Sequence, residues 1–409
     1  MTTHPHPLRA AAVSVDITPA DLTDLNPMGT SKSVPMDPTF SGVHDPISAR
    51  ILVLECRGTM AVLVSLDAVE VGETADFRAA IEQATEVPAA NVLMWATHSH
   101  NAPRIGTVSP GSLALRPLDA ALVNSAEVQR RCIPAIRVAL AALAPATVSV
   151  ATGHADVNVH RMEFTSAGWR EGFDDAGPSD KRVQVVRIDA VDGPQLATLF
   201  TYGVHSTVTL GTGEVSGDLA GAAARCVEAR SADDIVALFA PAAIGDQGPR
   251  VRAKAAPAAF AYDAADALGL VVGAEAHRVS QAATPIATDV LAVASATIAL
   301  PTSGAIYSPE EDHETVQLRL TALRLGDLVL AGVSGEVDTE LADLIERAAP
   351  RRHTLPLSLV NDRIGYLPSE AMYARTMETG RRCAVAPGRG ERAVVDGLAE
   401  LFRRLEDAR

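Results

Sequence analysis

Apolar runs broken by short polar turns dominate the 409-residue chain, and their two periodicities predict its elements. Three hairpin-like units recur, each leading into a polar residue. Segment 47–54, a turn at Arg57-Gly58-Thr59 and segment 60–66 lead into Asp67. Segment 183–190, a turn at Asp192-Gly193 and segment 196–204 lead into His205. Segment 316–325, a turn at Gly326-Asp327 and segment 328–333 lead into Glu336. In each, Gly and Asp supply turn chemistry between apolar runs, which reads as paired strands. Two further strands are predicted at 92–96 and 235–239. Apolar residues at three-to-four spacing predict helices at 75–85, 125–143, 219–230, 256–282 and 391–405. Ser125 is placed as an N-cap of the second helix, with Glu127 favouring the dipole of its first turn. Interleaving of both element types predicts an α/β fold bordering on α+β, with layered mixed sheets flanked by helices. No repeat or linker divides the chain, so 1–409 is read as one catalytic domain with a disordered segment at 1–10.

Composition narrows the class. Hydrophobic residues make up 47% and charged residues 21%, and no apolar stretch reaches the roughly 18–20 residues of a membrane span. The first residues lack the basic-then-apolar order of a secretion signal, and a cytoplasmic location is expected. A net charge of −15 argues against a nucleic-acid partner. Four scattered cysteines lack CxxC spacing, and Cys56 and Cys132 fall in apolar patterns, which predicts buried free thiols. Aromatics, at 4%, disfavour a protein built on stacking against bases or sugars. No stable membrane association is expected, and the oligomeric state is left open.

The densest chemistry lies in Thr97-His98-Ser99-His100, directly after the apolar strand. Strand side chains alternate faces, so His98 and His100 are expected to point the same way where the strand runs out. One imidazole there can hold a metal while the other moves a proton. Asn101-Ala102-Pro103 ends the pairing and sets the pair at a loop mouth. Other candidates are His205, Glu336 after Ser334-Gly335, Asp218 and Tyr366 after Gly365. Two His and a carboxylate make a familiar catalytic zinc set, but their wide separation along the chain does not prove a shared site. Each has a plainer alternative. A lone strand-end His is more often a hydrogen-bonded core residue, Glu336 a first-turn carboxylate, Asp218 a helix cap, and Tyr366 a half-buried aromatic.

Taken in order, these segments resemble the catalytic region of the neutral/alkaline non-lysosomal ceramidase family. The motifs are Gly42-Val43-His44-Asp45-Pro46, Thr97-His98-Ser99-His100, Gly203-Val204-His205-Ser206-Thr207, Gly245-Asp246-Gln247-Gly248-Pro249, Ser334-Gly335-Glu336, Gly365-Tyr366 and Ala386-Pro387-Gly388. The resemblance implies a zinc-dependent hydrolase of a C–N amide bond, using metal-activated water. It implies zinc ligands His98, His205, Glu336 and Tyr366, with His100 as the proton-handling group and Arg161 and Asp246 also at the catalytic centre. Arg161 belongs to Asn158-Val159-His160-Arg161, where His160 departs from the family's Asn-x-Asn-Arg. Gly248 stands where the family carries a serine, so no hydroxyl nucleophile is available there. A family tyrosine near Met377 or Glu378 is missing. True ceramidases also continue into a β-sandwich domain.

These departures move the expected substrate from ceramide to a small soluble amide, linear or cyclic. Arg104, Arg161 and Arg250 are then candidates to grip an anionic group on it, with Gly248 also at the substrate. Alternatives on the same metal site are lactone opening or amide-forming cyclisation. A non-catalytic, ceramidase-like binding protein is a third.

Overall fold

The computed structural model describes residues 7–25, 39–107, 119–252, 257–303, 314–375 and 383–407. Helices and sheets stack in layers, as the interleaved pattern predicts. The larger sheet has nine strands. Its main path runs Val236–Pro241, Gln195–Tyr202, Arg182–Ala190, Ala144–His154, Leu8–Asp16, Ser48–Cys56, Thr59–Leu66 and Val92–Ala96, with Thr284–Pro285 added on Ala144–His154. The second sheet holds Leu291–Pro301, Thr315–Leu325, Leu328–Val333 and His353–Leu357.

All three predicted hairpins form as antiparallel pairs. The strand Ser48–Cys56 explains why their apolar runs are nearly continuous. Ala49, Ile51 and Val53 face a core that includes Phe77 and Ile81 of helix Ala75–Thr85 and Val128 and Ile136 of helix Asp119–Ala141. Leu52 and Leu54 face the opposite way, into a core shared with Leu323, Leu325, Leu328, Leu330 and Leu355 of the second sheet. Both faces of the larger sheet are therefore buried, and a strand buried on both faces reads as a run rather than an alternation. Helices Asp218–Arg230 and Ala258–Ser280 pack on the other half of that sheet, and helices Thr339–Ala348 and Gly390–Glu406 cover the second.

Several expectations are corrected. Leu8–Ala10 lie in the first strand, not in a disordered segment, while 1–6 fall outside the described residues. Ser125 is not an N-cap, because the helix begins at Asp119. Its hydroxyl instead donates back to the Ala121 carbonyl at 2.7 Å and accepts the Gly106 N–H at 3.0 Å. The segment carrying Met377 and Glu378 also lies outside the described residues. Cys56 and Cys132 are buried free thiols as expected, Cys383 is a third, and Cys226 is half-buried. Among the described residues no helix is long and apolar enough to cross a membrane.

The topology gathers chemistry at one end. Within the two main sheets, three pairs of strands run parallel: Thr59–Leu66 with Val92–Ala96, Gln195–Tyr202 with Val236–Pro241, and Leu328–Val333 with His353–Leu357. Glu70, His98, His205, Gly245 to Gly248, Glu336 and Arg363 all follow the carboxyl ends of these strands. Loops at carboxyl ends of parallel strands are where α/β folds place ligands.

Candidate metal centre

His98, His100 and His205 form one group whose ligand atoms all lie within 4.8 Å of one another. The pointing of the His98/His100 pair is as expected, but the reason differs. The strand ends at Ala96, and His98 adopts a left-handed backbone, φ 63°, a conformation uncommon for a non-glycine residue and of order 1–3 kcal/mol in cost. The turn brings His98 Nε2 to 3.2 Å from His100 Nε2. An isolated bridge between Ser99 and Ser206 ties this loop to the one carrying His205.

Both implied ligand histidines are oriented by backbone carbonyls. His98 Nδ1–H donates to the Val69 carbonyl at 2.6 Å, and His205 Nδ1–H donates to the Ile244 carbonyl at 2.6 Å. A carbonyl only accepts, so in each ring Nδ1 carries a proton, and the neutral form of the ring presents its Nε2 lone pair inward. Glu336 Oε2 faces the same point, 3.1 Å from His205 Nε2 and 3.6 Å from His98 Nε2. Glu336 and Tyr366 are register partners on the short parallel pair Glu336–Val337 and Tyr366–Leu367. Gly365, φ 109°, makes the turn that delivers Tyr366, whose hydroxyl lies 3.4 Å from His205 Nε2. Gly335, by contrast, allows close packing, since a Cβ there would meet Leu367 at 2.5 Å.

The electrostatics favour a cation at that point. Burial foremost, then the charge of Arg161 and the neighbouring His98, push the His205 imidazole down to about 3. Burial raises the Glu336 carboxyl, but Arg363 above all, with His98 and His205, holds it well below the usual carboxylate range. A neutral imidazole lone pair and a carboxylate 3.1 Å apart repel unless something positive joins them. The donor set of imidazole nitrogens and a carboxylate oxygen suits a borderline metal such as zinc.

The family model for neutral/alkaline non-lysosomal ceramidase, N-terminal, matches residues 12–264. The chain belongs to this family. It is a family of amide hydrolases. Among solved structures, a neutral ceramidase from Pseudomonas aeruginosa is similar with a TM-score of 0.80 and 17% identity, over 99% of this chain and 75% of that one. A ceramidase complexed with C2 is similar with a TM-score of 0.77 and 18% identity, over 98% and 76%. At such identities these two likenesses establish the fold alone. No curated protein matches the chain.

The remaining candidates of this ceramidase-family chain divide. Arg161 is buried beside the centre, its Nη2 donating to the Gly245 carbonyl at 2.7 Å and its guanidinium 5.2 Å from the Tyr366 ring centroid. Asp246 is buried but engaged elsewhere. Its Oδ1 accepts from the Thr339 backbone and hydroxyl, and its Oδ2 lies 3.2 Å from His160 Nδ1. Arg104 pairs with buried Glu70, and half-exposed Arg250 pairs with Asp156 and Asp175. Gly248 is buried on the strand Gln247–Pro249. Asp218 is the first residue of its helix, where its carboxylate accepts the Leu219 N–H. The same carboxylate also accepts the Thr209 N–H and hydroxyl at 2.7 and 2.6 Å, anchoring the loop after His205. The His44-Asp45 motif is also scaffold, with His44 stacked on Tyr262 and Asp45 bound to Ser216 and Arg225.

Two residues at the centre carried no role in the sequence. Arg363 donates to Glu336 Oε1 from Nη2 at 2.9 Å and from Nε at 3.2 Å, and its Nε also lies 3.2 Å from Glu70. Glu70 in turn pairs with Arg104. The result is a buried chain of alternating charge, Arg104, Glu70, Arg363, Glu336. Its only signal in the sequence is the placing of Glu70 and Arg363 just beyond strands, as for His98 and Glu336.

Proposed function

We propose that this chain is a zinc-dependent amidohydrolase acting on a small, soluble amide. The observation that carries the proposal is the convergence of two inward-facing imidazole lone pairs and one ionised carboxylate on a buried point. His98, His205 and Glu336 would hold the metal, with Tyr366 beside His205 as the fourth member of the set. Zinc, when bound, lowers the pKa of a coordinated water toward about 7 and polarises the amide carbonyl.

The chain's own groups supply the rest. Burial, then His98 and His205, keep the His100 imidazole well below its ordinary range, so it is neutral and ready to accept a proton. It takes the proton from the attacking water and returns it to the departing amine nitrogen, the step that makes an amine a leaving group. Arg161, fixed by the Gly245 carbonyl and the Tyr366 ring, brings positive charge to the side where negative charge develops on the carbonyl oxygen. Arg363 keeps Glu336 ionised and fixed in place. A centre lined by His100, Arg161, Arg363 and Tyr366 suits a polar metabolite better than a long-chain lipid.

Elemental analysis of the purified protein should find close to one zinc per chain. His98→Ala and His205→Ala should each lose the metal and all turnover on a panel of N-acyl amines and lactams. Unchanged turnover in either metal-free variant would refute the proposal.

A further inference from the structure

One arginine that no motif singles out, Arg252, stands against Gly248, on the strand that packs on His205. The strand Gln247–Pro249 passes beside His205, and the Gln247 carbonyl accepts both the backbone N–H of His205, at 3.2 Å, and its Nδ1–H, at 3.1 Å. The next residue, Gly248, is buried opposite Val159 of the strand Asn158–Thr165, two residues before Arg161. A Cβ on Gly248 would lie 2.7 Å from Nη2 of Arg252 and 3.5 Å from its Cζ and Nε. The Arg252 guanidinium therefore fills the volume that any side chain at 248 would need.

Arg252 is held from its outer side. Its Nη2 donates to the Gly172 carbonyl at 2.9 Å, its Nη1 lies 3.3 Å from Glu171, and its guanidinium sits 4.6 Å from the Phe173 ring centroid. The side chain keeps 24% exposure, so a solvent-borne ligand can reach it. Burial first, and then the like charge of Arg161, weaken its hold on its proton, against the raising effect of Glu171. Two guanidiniums close enough to repel, buried Arg161 beside the centre and partly buried Arg252 next to Gly248, lie in a protein whose net charge is −15. Glu171 partly offsets this charge, and a second carboxylate arriving from solvent would share the same pair of guanidiniums. Of the other arginines considered for this task, Arg104 is shut in against buried Glu70 and Arg250 is shared by two carboxylates, Asp156 and Asp175, whereas Arg252 is partly open and has the longer contact to Glu171.

We infer that Arg252 is a specificity residue of this site, and that the amide it selects carries a carboxylate, as in an N-acyl amino acid. The carboxylate meets the guanidinium that Gly248 admits, which holds the amide next to the imidazoles. The inference rests on the amidohydrolase reading and narrows its substrate.

The test compares two substrates with the same short acyl chain, an N-acyl glycine and the neutral N-acyl propylamine, on the zinc-loaded full chain. The expected kcat/KM ratio favours the acid by about tenfold or more, the scale of one charge-assisted hydrogen bond. Arg252→Gln should bring the ratio close to one, and Arg252→Lys should lower it part-way, since Lys keeps the charge but not the fork. Gly248→Ala, whose Cβ displaces the guanidinium without removing it, should lower the ratio as well. A purely structural defect would slow both substrates together and leave the ratio where it was. Hydrolysis of both compounds with a ratio near one, or one unmoved by the Arg252 and Gly248 variants, overturns the inference and leaves the hydrolase reading standing. If neither compound is hydrolysed, calorimetric binding decides. Tighter binding of the acid to the parent but not to Arg252→Gln supports the inference, and equal binding of the two compounds overturns it.

Discussion

Replacing Arg363 by Met tests the buried charge chain that sets the electrostatics of the centre. The substitution is close in length and apolar, so it removes charge and hydrogen bonds with little change in packing. Glu70 keeps Arg104 as its partner. Glu336 loses its two bonds from Arg363, the largest influence holding it ionised, and retains in the metal-free protein the charge of Arg161 and the neighbouring imidazoles of His98 and His205. Removing one partner of a buried pair costs up to about 3–5 kcal/mol, because a buried charge loses its principal counter-charge. With an unfolding entropy of about 2.1 cal/mol/K per residue, that lowers the melting temperature of a chain of this length by about 4–6 °C. If zinc binds as proposed, it would take over as the counter-charge of Glu336 in the loaded protein, and the loss should be smaller. The assay is calorimetric unfolding of parent and Arg363→Met, each with saturating zinc and after chelation. The expected outcome is a larger drop without metal, and hence a wider stabilisation by zinc in the variant. Equal drops in the two states, or a metal-free drop below about 1 °C, would refute the reasoning that Arg363 and the metal share one carboxylate.

Acid should destabilise the metal-free protein over a defined window. His205 is pushed down to about 3 from an ordinary 6.5, so the unfolded chain binds the extra proton and stability falls as pH drops from 6.5 toward 3; below 4.5 the lowered Glu336 carboxyl adds a loss of the same sign. Urea titrations across that range should show the slope, and His205→Asn should flatten it. Gly245→Ala should cost about 1–3 kcal/mol and weaken zinc binding, since the new Cβ lies 2.7 Å from the Glu336 carbonyl; an unchanged zinc affinity by competition with a chelator would count against that contact. Burial pushes the Cys132 thiol up to about 12, so iodoacetamide at pH 8 should leave it unmodified until the protein unfolds, as mass spectrometry of the labelled peptide would report.

Local order carried far in this chain. Turn chemistry at Arg57-Gly58, Asp192-Gly193 and Gly326-Asp327 located three hairpins, since a left-handed residue between apolar runs has few other uses. Helices with a clear apolar stripe, such as Gly390–Glu406, were placed within a residue or two. Strands rich in Ala and Ser, among them Leu8–Asp16, Ala144–His154 and Leu291–Pro301, were not legible, because small residues take their conformation from the neighbour they pair with. Helix Thr339–Ala348 was missed as well, and with it the fact that Asp338, not Glu336, serves its N-terminus.

The centre divides the same way. Residue types, their order and their positions just past apolar strands belong to the sequence, and they sufficed to nominate His98, His100, His205, Glu336 and Tyr366. That these residues meet is a property of three parallel strand pairs whose carboxyl ends point to one place, and strand order is not written in any local pattern. The partners of buried charges were equally out of reach. Arg104 and Arg250 looked free along the chain, and only the fold commits them to carboxylates. Arg363 and Arg252 looked ordinary, and only the fold sets them against Glu336 and Gly248. Long-range electrostatics depends on distances between segments far apart in sequence, and those distances exist only once the layers have packed.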